Sequence, residues 1–425
     1  MTYTEAMACL DEAGKRGWIL GLDTIRNLLR YLRNPQNELK FVHVAGTNGK
    51  GSTTAMIASI AAAAGIRTGR YTSPAVFCDR EKYAVDGDWI SEEEFAACMQ
   101  KIADAAARME DDGLALPTRF EMETALAILY FAESGCKLAV LETGMGGVTD
   151  ATNVIENTLL CVLTAIGMDH TKFLGGTLAE IAEKKAGIIK PGCHVVLEKQ
   201  SDEVSEVIAA ACKRMNAKLT ITEPETILPI DSGIDGQHFR YRGLDVTIPL
   251  NGRFQLDNAS AASEAALCLR DNGFDIPDSA IIDGLKSVSW PGRLQQIHAQ
   301  PDIFIDGAHN PNAAVRLAEV IPQLWPGRKL ICIMGVLADK DFSEVAQLVC
   351  SKAASVITVT PDNPRALNAE ALAEAVKPHC AAAEPAASVK DALQRAVALA
   401  DDSAVILAFG SLSYLNEMNL AAKEL

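Results

Sequence analysis

The sequence lacks several features that would place it in whole classes of protein. No uninterrupted apolar run reaches the roughly 20 residues of a membrane-spanning helix, and the opening MTYTEAMACLDEAGKRG has neither a charged leader nor an apolar signal core. We therefore expect no membrane partner and a cytoplasmic protein. The 11 cysteines include no C-x-x-C pair, so a zinc site is not expected and the thiols are predicted to be buried, reduced and structural.

Positive charge is also in short supply. The chain has 39 Lys and Arg against 55 Asp and Glu, a net charge of -16, and the basic residues form no stripe along the sequence. Because no cluster of basic residues is present to bind the phosphates of a nucleic acid, we expect no nucleic acid partner. A small anionic substrate remains compatible, because a phosphate site depends on a few local donors and a metal ion.

Apolar runs that resemble strands alternate with stretches that resemble helices over most of the chain. This alternation predicts the α/β class, with a mostly parallel sheet covered by helices on both faces. The first series of predicted strands is KFVHVAG, LAVLET, LLCVLTAI, HVVLEK and AKLTIT. The segment HFRYRGLDVTIPL breaks the rhythm and predicts an antiparallel hairpin that turns at Arg242 and Gly243.

A second series of alternating strand-like and helix-like segments follows WPGRLQQI. A chain of 425 residues also exceeds the usual size of a domain with a single core. The predicted strands of the second series are DIFIDG, KLICIMG, SVITVT and SAVILAF, with helices that begin at Pro311 and Phe342. The turn at Trp290, Pro291 and Gly292 is the natural boundary. We therefore predict two domains, residues 1–292 and residues 293–425.

The segment HVAGTNGKGST, residues 43–53, lies where a predicted strand becomes a helix. Gly46, Gly49 and Gly51 would let the backbone turn tightly with N–H groups pointing inward, and the helix N-terminus favours phosphate. Lys50 would reach the β and γ phosphates. Gly51 stands where a hydroxyl usually binds magnesium, so that hydroxyl comes from Ser52 or from elsewhere. The simpler alternative is a tight loop with a solvated lysine.

Several motifs in order resemble the folylpolyglutamate synthase and dihydrofolate synthase family, a branch of the Mur ligases. They are GTNGKGS, LGLDTIRNLLRYLRNPQ, YTSP, LETGMGGVTDATN, MDHTKFLGGTLAEIAEKKAGIIKPG, GRFQLDNASAA, WPGRLQ, IDGAHNPNAA, GVLADKD and FGSLSYL. The resemblance implies an N-terminal P-loop ATPase domain, a smaller C-terminal Rossmann-like domain and an active site in the cleft between them. It also implies that ATP phosphorylates a carboxylate of folate or dihydropteroate, whereupon the amine of L-glutamate displaces phosphate.

The family places a set of residues around ATP. They are Gly46, Thr47, Asn48, Gly49, Lys50, Gly51, Ser52, Gln255, Asn258, Arg293, Asp306 and His309. A plainer reading of Gln255 and Asn258 is a polar pair in the first turn of a helix. Arg293 would stabilise the γ phosphate, while Asp306 and His309 would orient the ribose or the phosphates.

Magnesium is the second implied cofactor, with Ser73, Glu142, His170 and Lys185 as its implied ligands. Glu142 closes a predicted strand at the end where α/β sheets bind ligands. Lys185 matches a family lysine that reacts with carbon dioxide to give a metal-binding carbamate, which requires a neutral amine. Lys50, His170, Lys185 and Asp150 are the implied catalytic residues.

Two positions depart from the family pattern near its substrate segments. Ala75 follows YTSP where a histidine is usual, and Val148 stands where an arginine is usual. These departures leave the choice among dihydropteroate, reduced folate or both undecided. Two alternatives remain: a Mur ligase for a different carboxylate, and an inactive nucleotide-binding regulator. We expect the chain to act as a monomer.

Overall fold

A computed structural model describes residues 1–17 and 21–425, apart from the side chain of Lys172. Leu20, the first residue of the predicted helical lead-in, lies outside these ranges. Among the described residues, no helix is both long and apolar enough to cross a bilayer. All 11 cysteines are free, and nine of them are buried, as the apolar runs around them predicted.

The N-terminal half is organised around an eight-stranded sheet. Its strands are β1 (Lys40–Ala45), β2 (Thr68–Tyr71), β3 (Tyr83–Val85), β4 (Asp88–Trp89), β5 (Leu138–Glu142), β6 (Thr158–Leu163), β7 (His194–Leu197) and β8 (Lys218–Ile221). The spatial order is β4-β3-β2-β5-β1-β6-β7-β8. Six neighbouring strands pair in parallel, in the spatial order β2-β5-β1-β6-β7-β8. The other two, β3 and β4, form an antiparallel edge beside β2. The prediction of a mostly parallel sheet is therefore confirmed.

Helices cover both faces of this sheet. They are α1 (Tyr3–Gly14), α2 (Asp23–Tyr31), α3 (Lys50–Ala63), α4 (Glu92–Asp111), α5 (Arg119–Glu133), α6 (Thr171–Leu174), α7 (Leu178–Ala186), α8 (Asp202–Arg214), α9 (Arg253–Asp271) and α10 (Asp278–Ser287). Successive side chains of a strand point to opposite faces. Val42 and Val44 accordingly pack with α3, α9 and α10, while Phe41 packs with α1, α2, α4 and α5.

A small antiparallel sheet contains the predicted hairpin. Its strands are β9 (Leu228–Gly233), β10 (Gly236–Tyr241) and β11 (Leu244–Ile248), in the order β11-β10-β9. Arg242 and Gly243 form the turn with φ of 49° and 80°, as a tight two-residue hairpin turn requires. The sequence did not predict β9, because its side chains are exposed along its whole length and show no apolar alternation.

The C-terminal part is built on a six-stranded sheet. Its strands are β12 (Gln295–Ala299), β13 (Asp302–Ile305), β14 (Leu330–Met334), β15 (Ser355–Thr358), β16 (Ala383–Pro385) and β17 (Val405–Phe409), in the order β12-β13-β17-β14-β15-β16. All neighbours are parallel except β12 and β13. Helices α11 (Pro311–Leu324), α12 (Phe342–Cys350), α13 (Ala369–Val376), α14 (Val389–Leu399) and α15 (Leu415–Ala422) pack on its two faces.

Candidate active site

The glycine-rich segment joins β1 to α3, as predicted. Gly49 has a φ of 88° and precedes the first residue of α3, Lys50. A Cβ atom at Gly49 would lie 2.3 Å from Asn258 Oδ1, and one at Gly51 would lie 2.4 Å from the Trp290 ring. The loop therefore needs glycine both for its backbone conformation and for the close approach of its neighbours.

The expectation that N–H groups of the loop point inward is not met by Thr47 and Asn48. The N–H groups of Thr47 and Asn48 both donate to Ala165 O, at 2.8 and 3.2 Å. The N–H groups of Lys50, Gly51 and Ser52 at the start of α3 have no partner within the helix and are left for a phosphate, whereas that of Thr53 donates to Gly49 O at 2.9 Å. Lys50 Nζ donates to Thr47 O at 3.3 Å, so its ammonium lies over the same loop.

A cavity of about 200 Å³ opens where the carboxyl ends of the parallel strands face the C-terminal sheet. Its lining includes 15 of the 17 residues predicted for the site. These are Gly46, Thr47, Asn48, Gly49, Lys50, Gly51, Ser52, Ser73, Glu142, His170, Lys185, Asn258, Arg293, Asp306 and His309. The fold therefore brings residues from both halves of the chain to one place.

Asp150 and Gln255, the other two predicted residues, lie behind the cavity. Asp150 Oδ2 accepts the N–H of Met145 at 2.8 Å and its Oδ1 accepts the N–H of Thr152 at 3.0 Å, so it fixes the turn after β5. Gln255 Oε1 accepts a hydrogen bond from Asn258 Nδ2 at 2.8 Å. Both side chains thus orient residues that line the cavity.

Glu142 ends β5 and is 5% exposed. Its Oε2 accepts the backbone N–H of Ser73 at 3.3 Å. Burial raises the pKa of this carboxyl to about 7, although the nearby Lys50 and the Ser73 N–H favour the charged form. A cation bound beside Glu142 would stabilise the charged form of this carboxyl.

Lys185 lies in the last turn of α7 and is 3% exposed. Its Nζ donates to Gly46 O at 2.6 Å, which ties α7 to the start of the phosphate loop. Burial, followed by repulsion from Lys50, lowers the pKa of this amine to about 7. A substantial neutral fraction near neutral pH follows, as the sequence reading required.

Ser73 and His170 come from loops at the same sheet edge. The loop after Ser73 is held by the carboxylate of Glu81, which accepts the N–H groups of Phe77 at 2.8 Å and Cys78 at 3.3 Å. His170 has a φ of 49°, and its side chain is 40% exposed. Burial lowers the pKa of its imidazole, so the neutral ring that can bind a metal is favoured.

The C-terminal domain supplies the opposite wall. Asp306 accepts the N–H groups of Leu294 at 2.9 Å and Ala308 at 2.8 Å, which fixes the segment that carries Arg293. His309 Nδ1 lies 2.8 Å from the carbonyl oxygen of Gly307. Because a carbonyl only accepts, Nδ1 is the protonated nitrogen, and burial lowers the pKa of this histidine to about 4. His309 is thus neutral, with Nε2 left as an acceptor.

Ala75 and Val148 both lie outside the cavity lining. Ala75 is half-buried in the loop after Ser73, whereas Val148 is 46% exposed and donates its N–H to Lys184 O at 3.1 Å.

Sequence analysis did not predict two further residues that line the cavity. Phe254 and Arg316 line it, and the Arg316 guanidinium lies 5.5 Å from the centre of the Phe254 ring.

Two family models match the chain. The Mur ligase middle domain matches residues 44–266, more than half of the chain, and the Mur ligase glutamate ligase domain matches residues 292–412. The chain belongs to the Mur ligase family. The dihydrofolate synthase/folylpolyglutamate synthase of Bacillus subtilis (strain 168) is 34% identical over 381 residues, which cover 88% of each protein. The protein of the same name from Mycobacterium tuberculosis is 34% identical over 406 residues, which cover 90% of this chain and 83% of that protein.

Solved structures give the same result. The Mycobacterium tuberculosis folylpolyglutamate synthase complexed with ADP and AMPPCP has a TM-score of 0.90 and 31% identity, with 99% of both chains covered. Escherichia coli FolC in complex with DHPP and ADP has a TM-score of 0.86 and 26% identity, with 100% of this chain and 98% of that chain covered. The predicted family, the α/β fold class and the enzyme class, an ATP-dependent acid–amino-acid ligase of the Mur family, are thereby confirmed.

Proposed function

We propose that this Mur ligase joins L-glutamate to a carboxylate of a folate, of dihydropteroate, or of both. The observation that carries the proposal is the cavity in which the phosphate loop, Glu142 and Lys185 face Arg293 and His309 of the C-terminal domain. The folate-ligase relatives and the DHPP complex of the Escherichia coli protein support the substrate class. The two alternatives, a different carboxylate and an inactive regulator, have no such support.

The nucleotide would lie with its phosphates on the first turn of α3. Lys50 lies beside these donors, and Arg293 faces them across the cavity, so both cations would offset charge on the transferred phosphoryl group. Neutral His309 would offer Nε2 to a donor on the nucleotide. Because an acyl phosphate reacts readily with water, a cavity enclosed by two domains favours attack by the amine of glutamate instead.

The residues present fit magnesium as the second cofactor. Among the described residues, no three His, Cys, Asp or Glu side chains form a group that could hold a metal by themselves. Magnesium commonly binds through one or two carboxylates together with substrate phosphates, and Glu142 Oε2 has Ser73 beside it. Glu142, Ser73, His170 and a modified Lys185 would hold the ions, and bound magnesium would neutralise phosphate charge.

We further propose the domain division at residues 292 and 293 and a monomeric, cytoplasmic enzyme. The division is supported by the start of β12 at Gln295 and by the glutamate ligase domain match, which begins at residue 292. The monomer stays a prediction, and light scattering coupled to size-exclusion chromatography measures it directly.

An isotope experiment tests the proposed reaction. A heavy oxygen isotope is placed in the carboxylate of dihydropteroate and, separately, of tetrahydrofolate, and the purified protein receives ATP, magnesium and L-glutamate. Transfer of the isotope to inorganic phosphate is expected with at least one of the two substrates, because the acyl phosphate gives up a carboxylate oxygen when the amine attacks. Amide product with unlabelled phosphate would refute the mechanism. ADP release with another carboxylate but with neither pterin would refute the substrate class.

A further inference from the structure

Asp169 is contacted from both domains beside the proposed metal site. It lies between β6 and α6, and its side chain is 14% exposed. Lys340, in the loop between β14 and α12, places Nζ 3.2 Å from Asp169 Oδ1. Asn310, the N-cap of α11, donates from Nδ2 to Asp169 Oδ2 at 3.3 Å. A carboxylate of the N-terminal domain is thus bound by a cation and an amide of the C-terminal domain.

The backbone next to Asp169 is in an uncommon conformation. His170 has φ of 49° and ψ of 36°, the left-handed region that residues with a Cβ rarely adopt. Its backbone N–H donates to Asp169 Oδ1 at 2.8 Å, the same oxygen that Lys340 contacts. Such a conformation persists only where neighbouring groups hold it. The position of the His170 imidazole therefore depends on how Asp169 is held.

The same contacts reach the phosphate loop. Asn310 Nδ2 also lies 3.3 Å from Asn48 Oδ1, and Asn310 Oδ1 caps α11 by accepting the N–H of Ala313 at 2.9 Å. A Cβ atom at Gly167 would lie 2.4 Å from the Asn312 side chain, so the strand-end loop and α11 approach closely at this point. One helix terminus of the C-terminal domain thus contacts the two loops on which the nucleotide and metal sites are built.

The geometry points to Lys340 and Asn310 as a closure clamp, a pair of positioning residues that grip Asp169 when the domains close and so set His170 for the ligase reaction. The role rests on the proposed function, and the sequence motifs that contain Lys340 and Asn310 assign neither residue a part in the site. Lys340 and Asp169 are each 14% exposed, so their attraction is screened less than that of a surface pair. When the domains separate, Asp169 loses both partners and its hold on the His170 backbone weakens.

The test replaces Lys340→Met, with Lys390→Met as a matched control. Lys390 belongs to the same domain and pairs with Glu424 at 2.6 Å, but both side chains are at least 60% exposed and neither lines the cavity. Small-angle scattering is recorded with and without magnesium and a non-hydrolysable ATP analogue. Wild type and Lys390→Met should become more compact with nucleotide, and Lys340→Met should stay extended. Full compaction of Lys340→Met would overturn the clamp.

Kinetics separate a clamp from a substrate-binding lysine. For Lys340→Met, kcat should fall about 100-fold, since displaced reacting groups cost about that much, while KM for glutamate should stay within about threefold. Asp169→Asn should behave similarly, the double variant should be no worse than the poorer single variant, and Lys340→Arg should retain compaction. A raised KM for glutamate with unchanged kcat, or additive losses in the double variant, would refute the proposal. Scattering needs neither folate nor glutamate, so it judges the clamp even if the proposed substrates fail.

Discussion

Lys185 is expected to react with carbon dioxide in a pH range where ordinary lysines are inert. Only the neutral amine adds to carbon dioxide, and burial beside Lys50 lowers the pKa of Lys185 from 10.5 to about 7. At about pH 7.5 the neutral fraction is then ~75%, against ~0.1% for a lysine with the ordinary pKa. The fold therefore increases the reactive form several hundredfold before any metal binds.

The pH dependence has a definite sign. At constant dissolved carbon dioxide, the rate at which Lys185 forms carbamate and releases a proton should rise as the pH approaches 7 and level off about one unit above it, because the amine is then almost wholly neutral. For an unperturbed lysine, the rate would instead increase about tenfold per pH unit up to its own pKa near 10.4. The two profiles differ most between about pH 8 and pH 10.

Labelled bicarbonate and carbon NMR measure the adduct directly. Wild type should show a carbamate signal that Lys185→Ala lacks and that Lys184→Ala retains, because Lys184 is the exposed neighbour on α7. Lys185→Ala should also be inactive and should regain some turnover with a small carboxylate that occupies the vacated position. A signal that persists in Lys185→Ala, or a formation rate that keeps rising with pH without a plateau, would refute the reasoning.

Four further outcomes follow from the site and its surroundings. Lys50→Ala should lower kcat by at least about 100-fold with an unchanged Tm, since its charge acts on phosphate; a loss below about tenfold would remove the phosphate-loop assignment. Burial raises the pKa of Glu142 to about 7, so apparent magnesium affinity should fall as the pH drops below that value, and a flat titration series would contradict this. Gly284→Ala would place Cβ 2.4 Å from the backbone of α3 and should cost about 1–3 kcal/mol in urea unfolding. Restoring Ala75→His and Val148→Arg together should lower KM for the folate substrate, with nucleotide affinity unchanged; a higher KM would show that other residues hold the pterin.

The phosphate loop and most strands could be predicted from sequence because their signals are local. An apolar run followed by a glycine turn and a hydroxyl-rich helix start is visible within about a dozen residues of sequence. The strands that the sequence did not predict are β2, β3, β4, β9, β12 and β16, which are short, lie at sheet edges or are largely exposed. Short edge strands need not alternate polar and apolar residues, because little of their surface is buried.

Contacts between the domains could not be predicted in the same way. Asn310 directly follows His309 in the IDGAHNP motif, and Lys340 lies in GVLADKD, yet neither motif indicates which residue of the other domain it meets. Asp169 was visible only as the neighbour of His170. Its contacts with Lys340 and Asn310 depend on how the two large sheets face each other, and no periodicity in the sequence encodes that arrangement.

Burial acts in opposite directions on the two groups at the centre of the cavity. It raises the pKa of Glu142 to about 7 and lowers that of Lys185 to about 7, so each loses part of its charge near neutral pH. A cation beside Glu142 would restore its carboxylate, and carbon dioxide would convert neutral Lys185 into an anion that also favours a cation. Each charge would then appear together with its partner, and the free site avoids much of the cost of burying unpaired ions. Lowering the bicarbonate concentration should therefore weaken magnesium binding in wild type more than in Lys185→Ala, because only the wild-type lysine can gain that charge.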